Sequence, residues 1–191
     1  MLKLTSTYPR ATRVLEGYKR YVVQQAKSNL TKSGKKASGK LYGSIKGFVS
    51  KRMNRALTGR FTGGSTMPSL TFEMNEYGKY VDEGVRGSKS SPIGSRKSPY
   101  KFGRGANKNN VPLGPIRKWC RAKGIDPKAA YPIAKSVYEN GMERTEFFSK
   151  PFERRFKITK ALYHRAIADD IANNLANQLQ KQMKQRIKGV K

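Results

Sequence analysis

The stretch "KLYGSIKGFVSKR", Lys40 to Arg52, decides the fold class. Its first residues read as a short turn of helix that runs into a strand from about Ile45 to Arg52, with Phe48 and Val49 as its apolar content. The next alternating stretch, SLTFEMN (Ser69 to Asn75), supplies a paired strand, and LTGRFTGGSTMP between them reads as a turn or loose hairpin connection. Upstream, Val14, Leu15, Tyr18, Tyr21, Val22, Ala26 and Leu30 recur at three- and four-residue steps, the pattern of an amphipathic helix from Arg13 to Leu30. Lys19, Arg20 and Lys27 occupy its other face, and TKSGKKASG (Thr31 to Gly39) breaks it.

Downstream, a helix is expected from Pro115, with Ile116, Trp119 and Cys120 on one side and Gly124 at its end. Asp126-Pro127 opens a short turn, and a further helix starts at Pro132, with Ile133, Val137 and Tyr138 inward and Gly141 as a left-handed stop. The last helix spans about Ile158 to Lys188. Its apolar residues Ile167, Ile171, Leu175, Leu179, Met183 and Ile187 fall at four-residue steps. Each step advances about 40° around a helix, so five steps swing the stripe by about 200°. No single flat core covers such a stripe, so the end of this helix is expected to pack on a neighbouring subunit. Lys181, Lys184, Arg186, Lys188 and Lys191 give it a basic tip.

The expected architecture is therefore α+β: a small antiparallel sheet packed by helices, with a long basic loop and a long C-terminal helix. Residues 1–157 form the main domain, including a loop over 86–113, and 158–191 form a helical extension for subunit contacts. No internal repeat is visible.

Composition sets the partner class. The chain has 191 residues, enough for one domain plus extensions, and 36% of them are hydrophobic, low for a globular chain. Its 41 Lys plus Arg against 12 Asp plus Glu give a net charge of +29, far more than solubility requires. Some polyanion is expected nearby, whether nucleic acid, an acidic protein surface or an anionic membrane. The single cysteine, Cys120, excludes an intrachain disulfide and a Cys-rich metal site. There is no apolar run of signal-peptide or membrane-span length, so a soluble chain made in a reducing cytoplasm is expected.

The loop from Gly87 to Gly114 is rich in Gly, Ser, Pro, Asn and Lys and has no apolar period. A stretch of that length without structure is usually functional or disordered. From Gly84 to Ile125 there is no acid at all. Arg86, Lys89, Arg96, Lys97, Lys101, Arg104 and Lys108 are spaced through it with Tyr100 and Phe102 between them, a composition that can follow a phosphate backbone without reading bases. A solvated loop that only resists aggregation would have a similar composition.

Catalytic readings are weaker. Asp82 and Glu83 are adjacent and point about 100° apart on a helix, poor geometry for two carboxylates that must converge. Glu76 and Asp82, with Lys79 near, could face each other across a turn, a set that a metal-dependent nuclease could use. Pairing of these acids with basic residues across a subunit contact is the simpler reading. His164, the only histidine, has Ala168 at its i+4 position and so no ligand spacing. Cys120 beside Trp119 reads as a small buried hydrophobe. No phosphate-binding loop, nucleophile elbow, dinucleotide fingerprint or base-reading motif is present, and no cofactor is expected.

Three pieces of the sequence then fall into an order. These are "SGKLYGSIKGFV" with Gly39, Leu41, Ser44 and Ile45, "YGKYVDEGVRG" with Tyr77, Tyr80, Val81, Glu83 and Gly84, and "EFFSKPF" with Phe148, Pro151 and Phe152. Together they resemble the neck and tail-completion proteins of tailed bacteriophages, over residues from about 10 to 155. The chain departs from that pattern in having "KKASG" where the family has Pro-Val-Asp-Thr-Gly, and in adding a helix beyond the Pro-Phe. The resemblance implies a non-enzymatic virion protein that assembles as a homo-oligomeric ring at the portal vertex, joining head to tail around the DNA channel. Its implied partners are the portal, other neck and tail proteins, and genomic double-stranded DNA, with no membrane. It further implies that Tyr77, Tyr80 and Val81 pack under the sheet, that Gly84 allows the turn into the loop, and that Glu76, Asp82 and Glu83 face basic surface on the next subunit. A free, sequence-nonspecific nucleic-acid-binding protein is the alternative the charge suits equally well.

Overall fold

The computed structural model describes residues 8–34, 39–51, 67–102 and 113–188. In chain order the elements are α1 (Pro9–Lys32), α2 (Lys40–Ser44), β1 (Lys46–Lys51), β2 (Pro68–Glu73), α3 (Gly78–Glu83), β3 (Val85–Arg86), α4 (Leu113–Ala122), α5 (Ala130–Asn140), β4 (Gly141–Met142) and α6 (Ser149–Lys188). Short 3-10 turns lie at Ile93–Ser95 and Pro127–Ala129. The fold is α+β, but its strands form two separate two-stranded antiparallel sheets, β1 with β2 and β3 with β4. The sequence expectation of one small sheet missed the second because its strands are only two residues long.

The chain divides into two compact units built from interleaved pieces: Met1–Tyr21, Gly47–Phe72 and Glu153–Lys191 in one, Val22–Lys46 and Glu73–Phe152 in the other. The expected division at residues 157 and 158 is not a break in the backbone, because α6 begins at Ser149 and runs unbroken to Lys188. Its only proline, Pro151, sits in the first turn, where a missing N–H costs nothing, and the helix contains no glycine. Among the described residues no helix is long and apolar enough to cross a membrane.

In the first unit, Tyr8, Ala11 and Ala166 form a small buried cluster, with Val14, Tyr163 and Ile167 against it. Tyr18 meets Phe72 edge-on at 6.2 Å, and the Tyr163 hydroxyl donates to the Pro68 carbonyl at 2.6 Å. Asp170, buried on α6, accepts hydrogen bonds from the backbone N–H groups of Arg10 and Ala11, each at 3.0 Å. Those donors belong to the first turn of α1, where no intrahelical acceptor exists and the positive end of the helix dipole lies. Asp170→Ala should therefore cost about 1–2 kcal/mol, with Arg10, on the exposed side, regaining water as a partner. A drop in the far-UV circular dichroism melting midpoint checks this, and Asp170→Asn should recover much of it.

In the second unit the core is Ala26, Leu30, Leu41, Ile45 and Phe147, with Val23, Tyr42, Met74, Val81 and Phe148 packed against it. The α2 turn joins β2's exit through Ser44, whose hydroxyl accepts from the Asn75 N–H at 3.0 Å. Helices α4 and α5 pack with Cys120, Ala130 and Ala134 buried. The turn between them opens with Asp126 accepting from the Lys128 N–H at 2.9 Å. Gly124, at φ +69°, ends α4 in the left-handed conformation, with the Ile125 N–H returning to the Cys120 carbonyl. Gly141 ends α5 differently from the left-handed stop expected of it. At φ 81° and ψ −173° it sends the chain directly into β4, a conformation essentially reserved for glycine.

Candidate nucleic-acid interface

The site grows from the β3–β4 pair, in which Val85 registers with Met142 and Arg86 with Gly141. Gly84 before it has φ 73° and ψ 178°, and a Cβ there would lie 2.6 Å from the Met142 carbonyl oxygen. Glycine is thus required at the turn into the loop for two reasons, backbone conformation and close approach.

The loop that follows is fixed rather than structureless over its described part. The N–H of Ser88 donates to the Tyr138 carbonyl, and those of Lys89 and Ser90 to the Glu139 carbonyl, each at 3.0 Å. The chain then closes back on β3: Arg86 donates to the Tyr100 carbonyl at 2.9 Å, and Phe102 donates to the Arg86 carbonyl at 3.0 Å, a parallel bridge between Arg86 and Lys101. Two buried serines peg the loop from behind. The Ser95 hydroxyl donates to the Met142 carbonyl at 2.5 Å and the Ser98 hydroxyl to the Gly84 carbonyl at 2.7 Å. Composition left open whether this run is ordered by itself, and over its described part, to Phe102, its backbone is held in place. The run lacks apolar period because its order comes from backbone and serine hydrogen bonds to β3, β4 and α5.

With its polar groups satisfied inward, the loop turns its cations out. Arg96, Lys97 and Lys101 are exposed and make no ion pair among the described residues. Lys89 is exposed but paired with Glu139 at 2.9 Å, so it offers less free charge. Arg86 is half-buried within the strand pair, which removes it from the outward set. Arg104 and Lys108 lie outside the described residues.

Beside these cations stands an aromatic group. Tyr77 and Tyr80 are 43% and 37% exposed, not packed under a sheet as the resemblance implied, and only Val81 goes to the core. Tyr80 meets Tyr100 edge-to-face at 4.6 Å, so α3 and the end of the loop are joined by rings. The Lys79 ammonium lies 5.1 Å from the Tyr80 ring and 6.0 Å from the Tyr100 ring. Its pKa is raised, first by the hydrogen bond to Glu76 at 3.1 Å, which keeps the cation charged over the aromatic faces. Asn75, Glu76, Tyr77 and Tyr80 line an open hollow of about 510 Å³. Exposed cations free to meet phosphates are the ingredient of contact with a duplex, and the rings beside them would stack only on unpaired bases.

The acids do other work. Asp82 is 5% exposed and accepts from the N–H groups of Phe148 at 2.7 Å and Ser149 at 3.3 Å, the start of α6. It is therefore committed inside its own unit, which corrects its assignment to a subunit contact. Glu76 is exposed and held by Lys79, and Glu83 is half-buried. Among the described residues no three His, Cys, Asp or Glu side chains gather to hold a metal ion. His164 is exposed beside Tyr163, and Cys120 is buried.

The other residues singled out in the sequence separate into inner and outer sets. Leu41, Ile45, Val81 and Phe148 meet in the second unit's core, Pro151 is buried, and Phe152 stacks on Phe148 at 6.0 Å. Gly39, at φ 70°, precedes α2. Along α6, Ile167 turns into the first unit's cluster, whereas Ile171, Leu175, Leu179, Met183 and Ile187 are exposed. Sequence reasoning missed Ser95, Ser98 and Asp170, whose partners lie in distant segments, and Tyr100 as the ring that meets Tyr80. No protein-family model, no curated protein and no solved structure matches the chain.

Proposed function

We propose that this chain is a non-enzymatic structural protein of a tailed-bacteriophage virion, a subunit of an oligomeric ring in the neck that joins head to tail around the DNA channel. The observation that carries the reading is the convergence of its three motif pieces: Leu41 and Ile45, Val81, and Phe148, far apart in sequence, pack in one core. One apolar residue or more from each piece that resembles the neck and tail-completion family therefore meets the others in the second unit's core. A net charge of +29 supports the DNA-lined position, since neighbouring copies so charged repel within about 8 Å at physiological salt, and a polyanion would offset that repulsion. The portal surface and the other neck proteins are the protein partners in this reading, and double-stranded DNA is contacted through phosphates without base readout.

Mass photometry of the purified chain across a salt series, with and without double-stranded DNA, tests the reading. Discrete ring-sized oligomers, or a monomer that joins rings only with virion partners, are expected. A monomer that coats DNA with a steep salt slope would replace the ring by a free nucleic-acid binder.

The DNA contact has its own test. Changing Arg96, Lys97 and Lys101 together to Gln should flatten the log-log salt dependence of DNA affinity by up to about 2.7, near 0.9 per lost phosphate contact. All three are exposed, so the fold should persist. An unchanged slope would remove this loop from the interface.

A further inference from the structure

The C-terminal half of α6 presents a surface shaped for another helix. Ile171, Leu175, Leu179, Met183 and Ile187 are exposed, rising from 39% at Ile171 to 69% at Ile187. Four-residue spacing makes them one continuous ridge, inclined to the helix axis. Beside it runs a second row at the same spacing, Ala168, Ala172 and Ala176, also exposed, whose methyl groups leave a groove. At about 100° per residue, these two rows face away from the side on which Ala166 and Asp170 meet α1. The surface is therefore additional to the helix's own packing.

The ridge selects the geometry of what covers it. A left-handed coiled coil needs an apolar repeat of 3.5 residues, and this ridge departs from that repeat by half a residue at each step. Ridges at four-residue spacing instead interdigitate with the same kind of ridge on a second helix, at a crossing angle of about −50°.

Charge selects the occupant. Between Arg165 and Lys181 there is no Lys or Arg, in a chain that has 41 of them. The rows on either side of the ridge and groove hold the neutral Asn173, Asn174, Asn177 and Gln178, and two acids that are already engaged by α1, Asp169 in an ion pair with Arg10 at 3.4 Å and Asp170 on the N–H groups of Arg10 and Ala11. A helix made for anionic lipid, nucleic acid or an acidic groove would place cations here, as the polar faces of surface-binding helices do. A neutral ridge and groove on one helix are complementary to the same ridge and groove on another copy. We propose that α6 crosses α6 of a second copy near Leu175, each ridge seated on the other's alanine row, in a two-fold contact. The steep crossing carries Lys181, Lys184 and Arg186 of the two helices apart. The pairing does not rest on the virion reading: a two-fold contact joins chains in pairs, and any ring is closed by a different, head-to-tail surface.

Cross-linking of the full chain tests it. Ala176→Cys should give a disulfide-linked pair on mild oxidation, because alanine at a crossing lets helices approach to about 8 Å. Asn177→Cys, on the polar side, should not, and Cys120 is buried and serves as the silent background. Because the contact is apolar and the chains repel, linked pairs should increase as salt rises. The double variant Ala172→Lys and Ala176→Lys should weaken association by at least about 100-fold by mass photometry, with far-UV circular dichroism unchanged, since both sites are exposed and Lys is a good helix former. Equal linking at positions 176 and 177, no linking at any salt, linking that falls as salt rises, or unaltered association of the lysine variant would each overturn the pairing. Oligomers that persist without linking at position 176 would leave the ring reading standing while removing this contact.

Discussion

Gly141→Ala should lower the unfolding free energy of the second unit by about 3–4 kcal/mol, enough to threaten a marginally stable domain. Two costs add at this position. The backbone, at φ 81° and ψ −173°, lies where side-chain-bearing residues are strained by about 1–3 kcal/mol. A new Cβ would also stand 2.4 Å from the Val85 carbonyl oxygen and 2.6 Å from the Gly87 nitrogen, and backbone atoms cannot swing aside as a flexible side chain can. Relief requires β4 to leave β3, and β3 is the strand on which the loop closes through Arg86. Under the proposed DNA contact, loss of stability should be accompanied by loss of DNA affinity through Arg96, Lys97 and Lys101. Gly124→Ala is the control: its φ is +69° but nothing lies within 4 Å of the new Cβ, so only about 1 kcal/mol of conformational strain is expected. Trp119, the single tryptophan, lies in the same unit, and its emission through a urea titration reports both variants. Equal losses at positions 124 and 141 would show that conformational strain alone matters and that the strand pair gives way easily.

What the sequence showed and what it hid divide along one physical line, the reach of the interaction. Helix α1 was legible because its apolar residues repeat every three or four positions, although they serve two cores, Val14 in the first unit and Ala26 and Leu30 in the second. The strand at Lys46–Lys51 and its partner were legible from alternation and from the glycines between them. Gly141 was legible as punctuation but not as a junction between helix and strand, since the choice depends on Val85, more than fifty residues earlier. The start of α6 was placed late because Glu153, Arg154 and Arg155 interrupt the apolar period, although Pro151 marked the first turn. The loop's order could not be read at all. Ser95 and Ser98 look like ordinary loop serines, and their acceptors are the carbonyls of Met142 and Gly84. The outward cations Arg96, Lys97 and Lys101, by contrast, were visible from composition, because a run free of acids needs no partner to be basic.

Asp82→Ala should cost about 2–3 kcal/mol, and the form of the loss decides what this acid is for. The residue holds the start of α6 in two ways. Its carboxylate accepts from the Phe148 and Ser149 N–H groups, and its backbone carbonyl accepts from the Thr145 and Glu146 N–H groups at 3.1 and 3.0 Å. Alanine would keep the second set and remove the first, leaving N–H groups beside the buried Phe147 without an acceptor, at the positive end of a 40-residue helix. A cap exposed to solvent would lose less, because water would replace the carboxylate. Asp82→Asn keeps an oxygen in place but not the charge, so it should lose about half as much. Trp119 emission and far-UV circular dichroism in urea measure both, and the purified variants would be compared as monomers at low concentration. The resemblance to neck proteins implied a different role, an acid facing basic residues of the next subunit. On that role the monomer would be unaffected and only assembly would fail, with Asn as damaging as Ala because the charge is what pairs. An unstable monomer with Asn intermediate is the result expected from a carboxylate only 5% exposed, and it would place Asp82 among the residues that make the subunit rather than those that join one subunit to another.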